Sequence, residues 1–160
     1  MAVEIERKFL ITSDAWQPLA VSSRKIMQAY LANTANSSVR VRLTDDTEAR
    51  LTIKSKGPTT SREEFEYPLP MEDARSMLKL RVSSLVSKVR HFVPYEGMNW
   101  EVDIFEGDNA GLVLAEVELT CATQAFSLPD WVGEEVSNDE RYSNSRLAEQ
   151  PYVTFASELP

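Results

Sequence analysis

The chain has 160 residues, of which 26% are charged, with a formal net charge of −8 and one cysteine. That length buries one sizeable core without disulfides, and a lone Cys121 cannot form an internal one, which fits a reducing compartment. The acidic balance argues against nucleic acid or an anionic membrane as partner, no apolar run reaches spanning length, and no secretory-signal layout opens the chain; one cytoplasmic domain over 1–160 is expected.

In chain order, the dominant pattern is alternation of apolar and charged residues, the mark of half-buried strands. MAVEIERKFL sets Val3, Ile5 and Phe9 against Glu4, Glu6 and Lys8. SDAWQPLA predicts a short helix begun by Ser13 or Asp14, and RKIMQAYLA reads as the next strand. SSVRVRLT opposes Val39, Val41 and Leu43 to Arg40 and Arg42, and EARLTIKSKG opposes Leu51 and Ile53 to Thr52, Lys54 and Lys56. SREEFEYPLP sets Phe65 and Tyr67 against Arg62, Glu64 and Glu66.

PMEDARSMLKLRV then carries Met71, Ala74, Met77 and Leu78 at helical spacing, with acids early and bases late. LVSKVRHFV turns Lys88 and Arg90 away from Val89, NWEVDIFEG turns Glu101 and Asp103 away from Trp100, Val102 and Ile104, and LVLAEVELT turns Glu116 and Glu118 away from Val117 and Leu119. A second short helix is expected in SNSRLAEQP, stopped by Pro151. About eight strands result, spaced as in an antiparallel meander or barrel.

Each charged pair at i, i+2 reads, taken alone, as a solvated strand face. Together the pairs are biased by strand to one sign. Arg40/Arg42, Lys54/Lys56 and Lys88/Arg90 are cationic; Glu4/Glu6, Glu64/Glu66, Glu101/Asp103 and Glu116/Glu118 are anionic. Like charges side by side cost energy unless opposite charges or a ligand compensate. A closed barrel with these faces inward would do so, and its apolar outer face would be covered by helices and by Trp16, Trp100 and Trp131. Arg and Lys neutralise phosphate oxygens, while clustered carboxylates bind hard cations such as Mg²⁺ or Mn²⁺. A polyphosphate with its metal ions needs both, which points to metal-assisted phosphoryl transfer.

The opening EIERK, followed in order by VRVRL, TIKSKG, REEFEY, SKVRH, WEVDIFEG, LAEVEL and DERYSN, resembles the CYTH domain or triphosphate tunnel metalloenzyme superfamily over essentially the whole chain. The resemblance implies a mostly β, α+β fold: an eight-stranded antiparallel closed barrel with a charged lumen and a few helices outside. It implies phosphate-binding bases at Lys8, Arg40, Arg42, Lys54, Lys88 and Arg90, with Lys56 and Arg62 as additions. It also implies metal-site carboxylates at Glu4, Glu6, Glu116 and Glu118, with Glu64, Glu66 and Asp103 as further candidates. Glu4, Glu6 and Lys8 are the expected catalytic residues.

Similarity to short prokaryotic members makes hydrolysis of inorganic tripolyphosphate with Mg²⁺ or Mn²⁺ the first expectation. The alternatives are a nucleoside or thiamine triphosphatase, a class IV-type adenylate cyclase, or a non-catalytic polyphosphate sensor. The partner is thus a small anionic triphosphate; a homodimer is compatible with the composition, but no stretch marks its interface. His91, of opposite parity to Lys88 and Arg90, is expected to point outward, and Cys121 to be a buried small hydrophobe. Tyr30 and Tyr142 read equally as packing residues, and Arg141 either reaches a lumen end or pairs with Asp139 or Glu140. The tail YVTFASELP carries no functional signal.

Overall fold

Strands whose two faces differ in polarity must bury one and cover the other. In the computed structural model, which describes residues 2–57 and 61–159, they do this by closing on themselves. The strands are β1 (Ala2–Ile11), β2 (Ser22–Asn33), β3 (Ser37–Thr44), β4 (Glu48–Ser55), β5 (Ser61–Pro68), β6 (Val86–Tyr95), β7 (Met98–Phe105), β8 (Val113–Glu118) and a short β9 (Val132–Glu135). Neighbours run β5-β4-β3-β2-β6-β7-β8-β1, all antiparallel, and β1 pairs back onto β5 to close an eight-stranded barrel. The ninth strand, which the periodicity does not announce, extends the same edge of β1 past β5, through Phe9 and Ile11. The β3–β4 hairpin turns through Asp45 and Asp46, both at φ 53°, the left-handed geometry that matches strand twist.

Two helices flank the strands: α1 (Met71–Met77), with Glu72 and Asp73 in its first turn, and α2 (Asn144–Glu149), capped by the Ser143 hydroxyl, which accepts from Arg146 N. The segment after Ser13 is only a 3-10 turn, Gln17–Leu19, and its cap position falls to Trp16, whose indole offers no acceptor, rather than to Ser13 or Asp14. Among the described residues, no helix is long and apolar enough to cross a membrane.

Three apolar clusters organise the packing. Outside the barrel, Phe9, Trp16, Val93, Trp100, Val102, Val117 and Trp131 form one cluster over β1, β6, β7 and β8. Trp100 meets Trp131 edge-on at 5.8 Å, and His91, on this outer face as its parity predicts, packs 5.0 Å from Trp16. A second cluster joins α1, through Ala74, to Val41 and Leu43 of β3. The third lies across one end of the barrel. There the inward-facing positions turn apolar (Tyr30, Val86, Phe105, Leu114) and receive Leu112, Val136, Tyr142, Leu147, Ala148 and Phe155. The C-terminal segment is therefore a plug, and the tail that carried no signal supplies part of it. Burial of each such side chain contributes about 1.5–3 kcal/mol.

Cys121, expected to be buried, is exposed. β8 ends at Glu118, and the chain turns outward through the following residues, so no wall remains to cover the thiol.

Candidate active site

Register decides which charges meet. Opposite residues of an antiparallel pair share a face. Lys8 lies opposite Glu116, Glu6 opposite Glu118, Arg40 opposite Thr52, Lys54 opposite Glu64 and Arg90 opposite Asp103. All of these face the lumen, and they divide into two zones.

The first zone is a buried ion network. Asp103 has no exposure. Its Oδ1 accepts from Arg90 Nε at 2.8 Å, and its Oδ2 accepts from Arg90 Nη2 at 2.9 Å and lies 2.7 Å from Lys88 Nζ. Arg90 also reaches Glu101 at 2.6 Å and Glu116 at 3.4 Å. Burial by itself would raise Asp103, but Lys88 and Arg90 overcome it and hold the carboxyl well below the usual range. Burial, opposed by Asp103, lowers Lys88 to about 8. Burial also brings Arg42 down to about 9, with Arg40 and Arg90 adding to the effect; its Nε donates to Gln28 Oε1 at 3.0 Å.

The second zone is a chamber of about 500 Å³ beside the plug, lined by Glu4, Glu6, Lys8, Arg40, Lys54, Lys56 and Arg62 from the barrel side. Residues of the C-terminal segment, including Asn144 and Arg146, complete its wall. Lys54 Nζ lies 2.6 Å from Glu4 and 3.7 Å from Glu64. Burial would raise Glu4, but Lys54 outweighs it and the carboxyl is lowered. Lys8 Nζ donates to Tyr142 O at 3.1 Å and sits 3.5 Å from Glu116 Oε1. Glu116 and Glu6 outweigh burial and raise the Lys8 ammonium, so it stays charged. Glu6 moves the other way: burial first, then the Glu116 and Glu4 charges, push it up to about 7. Of the buried polar atoms without a hydrogen-bond partner among the described residues, three lie in the lumen: Gln28 Nε2, Arg40 Nε and Glu116 Oε1, the last held only by the 3.5 Å ion pair with Lys8. The site thus holds donors without an acceptor, which a phosphate would engage, and a carboxylate oxygen held only by a long ion pair, which a cation would engage.

The predicted residues do not all reach this chamber. Arg42, Lys88, Arg90, Asp103 and Glu116 lie in the network rather than in its lining, and both Asp103 oxygens are engaged by cations. Glu64 stands behind Lys54. Glu66 is exposed and pairs with Arg50 at 3.2 Å, and Glu118 is exposed at the end of β8. Lys56 bonds Asn33. Arg141 pairs with Asp139 at 2.6 Å.

Sequence reading missed Gln28, gave Thr52 its lumen parity but no role, and gave the plug residues no place at the site. Gln28 left a faint signal as a polar residue on the parity of Ile26 and Tyr30. Tyr142 and Asn144 stand in DERYSN, one of the segments that carry the family resemblance, but nothing local shows that they meet Lys8 and Lys88, because those lysines are 134 and 56 positions away.

Among the described residues, no three Asp, Glu, His or Cys side chains are grouped closely enough to hold a metal ion alone. Glu4 and Glu6 nevertheless suit Mg²⁺ or Mn²⁺, because such hard ions take one or two carboxylates and complete their shells with water and substrate phosphates. The raised Glu6 carboxyl fits an ion that offsets clustered negative charge.

A closed antiparallel barrel around opposed cations and carboxylates defines a charged β-tunnel protein. The chain belongs to the CYTH domain family, whose model matches residues 2–152. It is 41% identical over 156 residues to an inorganic triphosphatase of Acetivibrio thermocellus, covering 97% of this chain and 99% of that protein. It is 36% identical over 150 residues to an inorganic triphosphatase of Nitrosomonas europaea, covering 91% and 96%. The crystal structure of the inorganic triphosphatase NE1496 is similar to it with a TM-score of 0.66 at 32% identity, over 92% of this chain and 95% of that one. The Hippeastrum protein HpAC1, at 18% identity and a TM-score of 0.58 over 73% of this chain and 80% of that one, shares the fold.

Proposed function

We propose that this chain, acting as one CYTH domain, hydrolyses inorganic tripolyphosphate to pyrophosphate and phosphate in its chamber with Mg²⁺ or Mn²⁺. The observation that carries the proposal is the lining itself: Lys8, Arg40, Lys54, Lys56 and Arg62 share one cavity with the Glu4–Glu6 pair. Two relatives of nearly the same length, named inorganic triphosphatases, support the same reading.

In this reading, Arg40, Lys54, Lys56 and Arg62 bind the phosphate chain and hold it in one geometry, which removes much of the entropic part of the barrier. Arg42, Lys88 and Arg90 add positive potential from beneath, where low dielectric strengthens it. Lys8 stays an ammonium between Glu6 and Glu116, and therefore stabilises charge developing on the bridging oxygen rather than accepting a proton. Glu4 and Glu6, with Glu116 behind them, would hold the divalent ion, which supplies charge neutralisation on phosphate oxygens and a more acidic water. The same carboxylates orient the water that attacks the terminal phosphorus. As the new P–O bond forms, the bond to the bridging oxygen breaks, pyrophosphate leaves with that bond's electron pair, and the proton given up by the water passes to solvent.

The test is phosphate release by purified protein from tripolyphosphate, ATP and thiamine triphosphate, each with Mg²⁺ or Mn²⁺. Tripolyphosphate is expected to be hydrolysed fastest. Faster release from ATP, or binding without turnover under every metal condition, would overturn the proposal.

A further inference from the structure

The chamber has one wall that the strands do not supply. Asn144, on the C-terminal plug, lines the chamber and accepts from Lys88 Nζ through Oδ1 at 3.2 Å. Lys88 is fully buried, and its ammonium only donates. The amide atom facing it must therefore be oxygen, and this fixes the side chain's orientation: the NH₂ group is turned away from Lys88. Among the described residues, that NH₂ donates to no protein acceptor, although its residue borders the cavity.

The support beneath Asn144 is rigid. Ser143 Oγ accepts from Arg146 N at 3.2 Å, Leu147 and Ala148 are buried in the plug core, and Tyr142 O receives Lys8 Nζ. Two plug residues, Tyr142 and Asn144, are thus tied to two lysines that face the lumen from strands three apart in the barrel order, Lys8 of β1 and Lys88 of β6.

We propose that Asn144 is a substrate-contacting residue, its Oδ1 holding Lys88 while its amide N–H groups donate to an oxygen of the bound inorganic polyphosphate. The inference rests on the triphosphate reading and deepens it. A neutral donor pinned by a buried lysine adds a directed hydrogen bond without adding charge to a chamber already rich in cations. Asparagine suits the position because it is an acceptor toward Lys88 and a donor toward phosphate.

The decisive variant is Asn144→Asp, which keeps an oxygen on Lys88 and replaces the donor with an anionic oxygen. Its KM for tripolyphosphate is expected to rise about 10- to 100-fold, at an unfolding midpoint no lower than that of the unmodified protein. Asn144→Ala leaves the buried ammonium short of an acceptor and is expected to lower the midpoint as well as raise KM. Calorimetric titration of tripolyphosphate into the Asp variant and the unmodified protein reads the same contact independently of turnover. Unchanged affinity and KM in the Asp variant, with only the Ala variant impaired, would reduce Asn144 to a purely structural partner of Lys88 and overturn the inference. Failure of the unmodified protein to hydrolyse tripolyphosphate that it still binds would instead sink the proposed function.

Discussion

Replacement of Asp103 by Asn tests whether the buried network holds the lumen together. The carboxylate is fully buried and meets Arg90 and Lys88 through three contacts of 2.7 to 2.9 Å. At an effective dielectric of about 20, each charge pair at that distance is worth roughly 6 kcal/mol before desolvation is counted. The variant pays no less to keep Lys88 and Arg90 buried, yet loses the charge that offset them. Breaking a buried pair on one side in this way costs about 3–5 kcal/mol. For a chain of this size each kcal/mol moves the midpoint by about 2–4 °C, so thermal unfolding followed by circular dichroism should shift down by about 6–20 °C. The pH dependence has a definite sign. A carboxyl lowered in the fold stabilises it above the unfolded value of about 4, and that contribution fades as pH falls toward the folded value. The deficit of Asp103→Asn should therefore be largest from about pH 5 to 6, and shrink both in stronger acid and toward pH 8, where Lys88 begins to lose its proton. A variant as stable as the unmodified protein at pH 7 would refute the network as a structural element.

The double replacement Glu4→Gln with Glu6→Gln should abolish phosphate release and the response to Mg²⁺ or Mn²⁺ while leaving the circular dichroism spectrum intact; full activity would mean that the opening strand has been misread. Glu6→Gln alone should raise the metal-free midpoint at pH 8 by about 7–14 °C, because a carboxyl pushed up to about 7 costs stability once it ionises; that gain should vanish below pH 4, where the unmodified side chain is protonated in both states. Arg40→Ala should raise KM about 10-fold or more with a smaller change in kcat, since it removes a charge bordering the chamber. Leu147→Ala, at a position with no exposure in the plug core, should cost about 2–5 kcal/mol in urea unfolding.

Much of the barrel can be read from the chain because strand alternation is a local property. Glu4, Glu6 and Lys8 had to share a face, as did Arg40 with Arg42 and Lys88 with Arg90, whatever the fold around them. The same rule carried a message that the charges obscured: Leu10, Leu114, Phe105 and Val86 continue the inward parity of their strands as apolar residues. Those positions mark the plugged end. The helices were less legible, since α1 and α2 are only about two turns long and draw their stability from packing rather than propensity.

The sequence by itself determined the two-faced strands, the side on which each charge stands and the chemistry that those charges can perform. Tertiary structure decided their depth. Register placed Asp103 between Arg90 and Lys88, where both its oxygens are engaged, and left Glu4 and Glu6 at the chamber. It exposed Glu118 and Glu66, which have the same parity as the buried Glu116 and the half-buried Glu64. It also brought Asn144 to Lys88 across 56 residues of chain. The physical reason is that parity is fixed by the pleat, whereas burial and pairing depend on where the barrel closes and on what fills its end.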